Sequence, residues 1–153
     1  MKNYDVILVF AFGDSLETNQ KLIEEVGKFR LSAPIFSQKS LDQALHDAYP
    51  ERTIIIAEQA DDRISTYEIA EQFATLAVKK KWMTACIIAA EQQIWRCQRD
   101  IQKNRMFYCA ARRIKTGYSP HDPQLWVRNC YIWWLREMII RMLPFNLYKA
   151  ITG

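Results

Sequence analysis

Glycine and proline are scarce, with 4 and 5 residues in a chain of 153. That excludes a collagenous or linker-rich protein. The 2 histidines, His46 and His121, form no His-Glu-x-x-His element, and the sequence holds no Ser-His-Asp arrangement and no P-loop. The 4 cysteines, Cys86, Cys97, Cys109 and Cys130, are 11, 12 and 21 residues apart. No two make a Cys-x-x-Cys pair, which argues against a zinc knuckle or a redox dithiol and for buried, reduced thiols. Long apolar runs are missing too. Crossing a bilayer takes about 20 apolar residues, whereas Val6–Phe12 supplies 7, and the stretch Tyr131–Leu147 is broken by Arg136, Glu137 and Arg141. A signal peptide needs a longer apolar core and a small-residue cleavage site. The expected location is the cytoplasm.

What remains is the composition of a globular chain: 50% hydrophobic and 25% charged residues exclude a disordered one. The length suits one domain, 1–153, with no credible linker inside it. Charge is distributed unevenly. Residues 1–78 carry 7 basic and 13 acidic side chains, residues 79–153 carry 14 basic and 4 acidic. Such polarity suits nucleic acid, an anionic membrane surface or an acidic protein partner, although a solvated basic face explains it equally.

Apolar runs alternate with helical patterns. Val6–Phe12, Thr53–Ala57, Ala85–Ala90 and Met106–Ala111 are apolar at nearly every position, the mark of strands buried on both faces of a parallel sheet. Ala33–Ser37 is a weaker fifth strand, whose proline disfavours a central, fully paired place. Between the strands, Asp14/Glu17, Ser40/Gln43 and Ser65/Glu68 stand at capping-box spacing. Leu22, Val26 and Phe29 follow the first pair, and Ile69, Phe73 and Leu76 follow the third, at helical intervals. Ile94, Cys97 and Ile101 mark a fourth helix. Asp122-Pro123 has the form of an N-cap followed by proline at the first helical position, opening a closing helix at about 123–142 that Pro144 helps to stop. The expectation is an α/β domain: three Rossmann-like layers, α/β/α, around a mainly parallel sheet of about five strands. Strand order 3-2-1-4-5 is favoured over 2-1-3-4-5.

In such sheets ligands bind beyond the carboxyl ends of the strands, where three segments meet. Phe12-Gly13-Asp14-Ser15 offers helix-start amides to an anion, yet one glycine is no dinucleotide fingerprint and a plain cap explains the turn. The loop Glu58–Ile64 and the helix start through Glu68 combine carboxylates with Ser65 and Thr66. Glu58, Asp61 and Asp62 match no defined metal loop, so no metal is assigned. A second loop, Lys115–His121, is also polar. Gln93-Ile94-Trp95-Arg96 follows the fourth strand, and the Arg96 fork suits phosphate or carboxylate; a surface arginine is the plainer alternative.

The run from Glu58 through Ser65-Thr66-Tyr67-Glu68-Ile69-Ala70, then a strand and Gln93-Ile94-Trp95-Arg96, resembles the YdcF, SanA and ElyC family of bacterial domains. That family carries a Glu, a Ser/Thr-Thr-x-Glu-Asn-Ala element and, after a later strand, Thr-Ser-x-x-His-x-x-Arg. Tyr4-Asp5-Val6-Ile7-Leu8-Val9 is similar to its first strand. Here the glycine-rich turn is reduced to Gly13, Phe36-Ser37-Gln38-Lys39 replaces a Ser-Gly-Gly, Ile69 stands for the asparagine and Gln93 for the histidine. The resemblance implies a cleft formed by Gly13, Thr66, Glu68, Gln93 and Arg96 that binds a small anionic or nucleotide-like ligand such as S-adenosylmethionine. Losing the histidine removes the near-neutral acid or base, and no reaction is assigned. On this view Arg96→Ala weakens the ligand while barely changing the melting temperature.

The alternative is an interaction module that has lost its ligand site and engages protein, nucleic acid or an anionic membrane surface through its basic C-terminal half. There Trp126, Tyr131, Trp133 and Trp134 are interleaved with Arg128, Arg136 and Arg141. The plain reading of those residues is a helix that packs its tryptophans on the sheet while the arginines reach water.

Overall fold

The computed structural model describes residues 3–59, 65–104 and 108–152. Five strands, β1 (Val6–Val9), β2 (Ile35–Ser37), β3 (Ile54–Ile56), β4 (Thr84–Ala90) and β5 (Tyr108–Ile114), form one sheet. Its order is β3-β2-β1-β4-β5 and every pairing is parallel. Six α-helices are described: α1 (Leu16–Val26), α2 (Asp42–Ala48), α3 (Thr66–Lys80), α4 (Ile94–Asn104), α5 (Cys130–Met142) and α6 (Phe145–Thr152). The continuous apolar strands serve two layers at once, because successive side chains point to opposite faces. Ile7 and Val9 pack with Leu22, Ile23 and Val26 of α1 and Leu45 of α2. Val6 and Leu8 pack with Ile69, Ala70 and Phe73 of α3 and with Ile94, Cys97 and Ile101 of α4. The result is the expected Rossmann-like α/β/α arrangement in the expected strand order. Among the described residues no helix is long and apolar enough to cross a membrane.

Several local expectations are corrected. β2 is paired on both sides, between β1 and β3. Pro34 costs nothing there, because it precedes the strand and its carbonyl accepts from Ile7 N–H at 3.0 Å. Of the three capping boxes only Ser65/Glu68 forms with both bonds. Helix α1 starts at Leu16 after Ser15, not at Asp14, and α2 is entered through a 3-10 turn, Lys39–Leu41, so Ser40 caps nothing. Met106 and Phe107, expected in the last strand, lie outside the described residues, and β5 continues beyond Ala111 to Ile114.

The C-terminal region differs most from the single helix expected at 123–142. Leu125–Val127 is a 3-10 turn, and α5 begins only after Asn129, whose side chain accepts from Tyr131 N–H at 2.8 Å. The helix ends at Met142 as expected, with Leu143 extended before Pro144, and Pro144 then opens a further helix, α6, its carbonyl accepting from Tyr148 N–H at 2.9 Å. Only Trp133 of the three tryptophans is fully buried; Trp126 is half-buried and Trp134 is exposed. Trp133 meets Phe12, just past β1, with ring centroids 4.8 Å apart. Glu137 meets Arg96 in the first turn of α4, and Ile140 packs with Tyr67 in the first turn of α3. Helix α5 therefore lies across the carboxyl end of the sheet.

Candidate functional site

A parallel sheet delivers the ends of β1, β3 and β4 to one edge, and α5 roofs it. The first of these ends leads into the Gly13 turn. Its φ of +74° is the left-handed conformation that favours glycine. Asp14 N–H and Ser15 N–H both donate to Asp122 Oδ2 at 3.0 Å, while Asp122 Oδ1 accepts from Gln124 N–H at 2.8 Å. Asp122 is fully buried, and a Cβ on Gly13 would collide with its carboxylate. The turn is further held by Asn19 Oδ1, which accepts from Phe12 N–H at 2.8 Å, and by Thr18 Oγ1, which donates to the Phe12 carbonyl at 2.9 Å. Amides of the kind that bind anions at helix starts thus hold the chain's own carboxylate. Asp122 is not the N-cap of the closing helix; from across the fold it holds the two amides that lead into α1.

The second end leads into α3. Ser65 Oγ accepts from Glu68 N–H at 3.1 Å, and Glu68 Oε2 accepts from Ser65 N–H at 2.7 Å. Glu68 is engaged in that cap, and Thr66 is the first residue of the helix. Upstream, the Glu58 backbone is clamped by the Gln72 side chain through two bonds of 2.7 Å. Asp61, Asp62 and the rest of residues 60–64 lie outside the described residues.

The third end leads into α4. Gln93 Nε2 donates to the Ala11 carbonyl at 2.8 Å, which ties the start of α4 to the end of β1. Arg96 donates from Nη1 to Glu137 Oε1 at 2.7 Å and lies over the Trp133 ring at 5.5 Å. Arg136 approaches the same Glu137 oxygen at 3.7 Å and lies over Trp126 at 5.0 Å and Trp133 at 5.6 Å. One turn along α4, Asp100 pairs with Arg99 at 2.8 Å and accepts from the Tyr148 hydroxyl at 2.7 Å. Three guanidiniums, of Arg96, Arg99 and Arg136, thus stand against two carboxylates, of Asp100 and Glu137. Burial, and then repulsion from Arg96, depresses Arg136 to a pKa of about 10. Burial raises Asp100 above its usual range.

The cluster is not saturated. Buried Arg96 Nε, Arg136 Nη1, Trp95 Nε1 and Trp133 Nε1 have no hydrogen-bond partner, nor do the acceptors Gln92 Oε1 and Glu137 Oε2. Such atoms are costly to bury unmet, and native proteins keep few of them. Four of these six are nitrogen donors. The arrangement is equipped to hold an anion between α4 and α5. Cys97, buried beside it, is a poor nucleophile, because burial pushes its thiol pKa strongly upward. A surface hollow lined by Asn3, Tyr4, Phe29 and Ala33 lies at the opposite, amino end of the sheet.

No family model, curated protein or solved structure matches this chain. The site is therefore built from its own contacts. These link the Gly13 turn, Gln93 and Arg96 in one cluster around Phe12 and Trp133. Thr66 and Glu68 lie at the same edge, in the first turn of α3. Trp133, Arg136, Glu137 and Asp122 complete the cluster; the sequence placed Trp133 and Arg136 in the alternative interaction surface, and read Asp122 only as a helix cap and Glu137 only as a break in an apolar stretch. One signal was present: Arg136-Glu137 sits in the middle of an otherwise apolar stretch, where a charge needs a partner to be buried. His46 is exposed on α2, its Nδ1 lying 2.9 Å from Asp42.

Proposed function

We propose that the domain binds a small anionic ligand, a carboxylate or phosphate compound, at the carboxyl end of its sheet beneath α5. Arg96 and Arg136 are the recognition groups, and the indole N–H groups of Trp95 and Trp133 are further donors. The observation that carries this reading is the surplus of positive charge around Glu137, from buried Arg96 and partly buried Arg136, together with buried N–H donors that are unmet. A bound anion balances that charge and satisfies donors that the protein leaves open. Gly13, Thr66, Glu68 and Gln93 serve here as supports of the backbone around the site. On the same proposal the chain is a divergent YdcF-like domain, and the nucleotide-like ligand that this resemblance implies, S-adenosylmethionine among others, is a specific case. The half-buried Trp126 ring supplies an apolar surface beside Arg136 for such a ligand.

A thermal-shift screen with orthophosphate, nucleotides, S-adenosylmethionine, phosphosugars and dicarboxylates tests it. A ligand present at 100 times its Kd stabilises the fold by about 2.7 kcal/mol. The expected result is stabilisation by one anionic class, lost in Arg136→Gln while that variant still unfolds cooperatively. A screen in which no anion stabilises the protein, or a stabilisation that Arg136→Gln leaves intact, overturns the reading.

A further inference from the structure

The face of α5 turned away from the sheet has an unusual composition. Trp133, Glu137 and Ile140 point inward and are buried. Outward stand Tyr131, Ile132, Trp134, Leu135, Met138, Ile139 and Met142, with exposures from 49% for Ile132 to 84% for Met142. A surface helix normally turns charged and polar residues to solvent. This one presents an apolar face along its whole length, roughly 20 Å at 1.5 Å per residue. Leu147 of α6, 47% exposed, adds to the same kind of surface on the helix that follows.

The rim of this face is cationic. Arg141 lies over Trp95 at 4.4 Å and over Trp134 at 5.7 Å, and Lys103 lies over Phe145 at 5.2 Å. Arg128 is exposed just before the helix. The acidic side chains of this half are hidden. Asp100, Asp122 and Glu137 are each 0% exposed, which leaves Glu91 as the exposed carboxylate after residue 78 among the described residues. Burial of the acids thus turns an excess of basic residues into an almost purely cationic surface.

We propose that the outer face of α5 docks the domain on an anionic lipid surface. The helix lies in the headgroup plane, with Ile132, Leu135, Ile139 and Met142 at the acyl boundary and Arg128 and Arg141 among the phosphates. Apolar residues ringed by cations, with Trp and Tyr at the margin, are what an interfacial helix requires. Charge complementarity selects this occupant: a second copy meeting the same face would bring Arg128 and Arg141 against their like. The proposal does not depend on the anion site on the helix's inner face.

Co-sedimentation of the full chain with vesicles tests it. The protein should pellet with phosphatidylcholine vesicles containing phosphatidylglycerol, at least tenfold more strongly than with phosphatidylcholine alone, and salt should weaken the binding. Leu135→Glu and Ile139→Glu should abolish it without lowering the melting temperature, since both side chains are exposed, and Arg141→Glu should weaken it. No binding to the anionic vesicles, equal binding to neutral ones, or persistence in Leu135→Glu would overturn the proposal. So would a dimer in solution that Leu135→Glu dissociates. Any anion-induced thermal shift should survive in Leu135→Glu and Ile139→Glu, so failure of the docking surface and failure of the anion site are read separately.

Discussion

Arg96 and Glu137 lie opposite each other at 2.7 Å with side-chain exposures of 6% and 0%. Breaking such a pair strands a charge away from water, at a cost of about 3–5 kcal/mol. The small effect on melting temperature that the sequence suggested for Arg96→Ala is therefore corrected. The variant should lose stability near the lower end of that range, because Arg136 stands 3.7 Å from the orphaned carboxylate. Adding Glu137→Leu should recover most of the loss, as urea unfolding of the single and double variants would show. A loss below about 1 kcal/mol in the single variant would contradict a buried pair, since exposed pairs fall in that range. Gly13 offers a second test. Gly13→Ala should destabilise through its left-handed backbone, about 1–3 kcal/mol, and through collision with the Asp122 carboxylate. In an Asp122→Ala background only the backbone part should remain. Additive costs in the double-mutant cycle would show that the two sites do not touch.

At the scale of elements, α5 has two working faces. Its inner face closes the core through Trp133 and Ile140, and the neighbouring Val127 and Tyr148 are buried as well. Each such side chain contributes about 1.5–3 kcal/mol on burial, against a total stability of about 5–15 kcal/mol for a domain. A chain ending at Leu125 should therefore fail to fold, seen as loss of the cooperative urea transition. A truncated chain that still unfolds cooperatively would make the region an appendage. The expectation that this region packs its tryptophans on the sheet holds for Trp133 and, half-buried before the helix, for Trp126, but not for Trp134. Residues at successive helix positions point about 100° apart, so Trp133 and Trp134 cannot both face the core.

For the molecule as a whole, alkaline pH should be the weakness. Burial raises Cys97 and Tyr148 and pushes Cys109 up to about 11 from an ordinary 9.0. Above pH 9.0 the unfolded thiols release protons that the folded state retains. The stabilisation from these neutral groups is complete below the unfolded values and is lost as pH rises through the folded ones. The urea midpoint should fall between about pH 9 and 11, and less steeply in Cys109→Ala. A flat profile across that window would contradict burial of these groups. Charge also organises the surface: the basic C-terminal half hides three of its four acids, Asp100, Asp122 and Glu137, in the interior.

The layers of this fold were legible in the sequence because they depend on short-range pattern. Val6–Val9 and Ala85–Ala90 read as strands buried on both faces, and the alternation with helices implied a parallel sheet. Ser65 and Glu68 announced their cap because its two bonds close within three residues. Which polar groups meet at the carboxyl edge was decided by the tertiary structure. Asp122 reaches Asp14 across 108 positions, Gln93 reaches Ala11 across 82, and Glu137 reaches Arg96 across 41. No local periodicity encodes such pairings. A carboxylate at an N-cap position looks the same in sequence whether it caps its own helix or binds a distant turn, and an Arg-Glu step in an apolar helix does not say which charge turns inward. The docking of α5 across the sheet end settles both, because a charge removed from water must find its partner among the groups that the packed elements bring within reach.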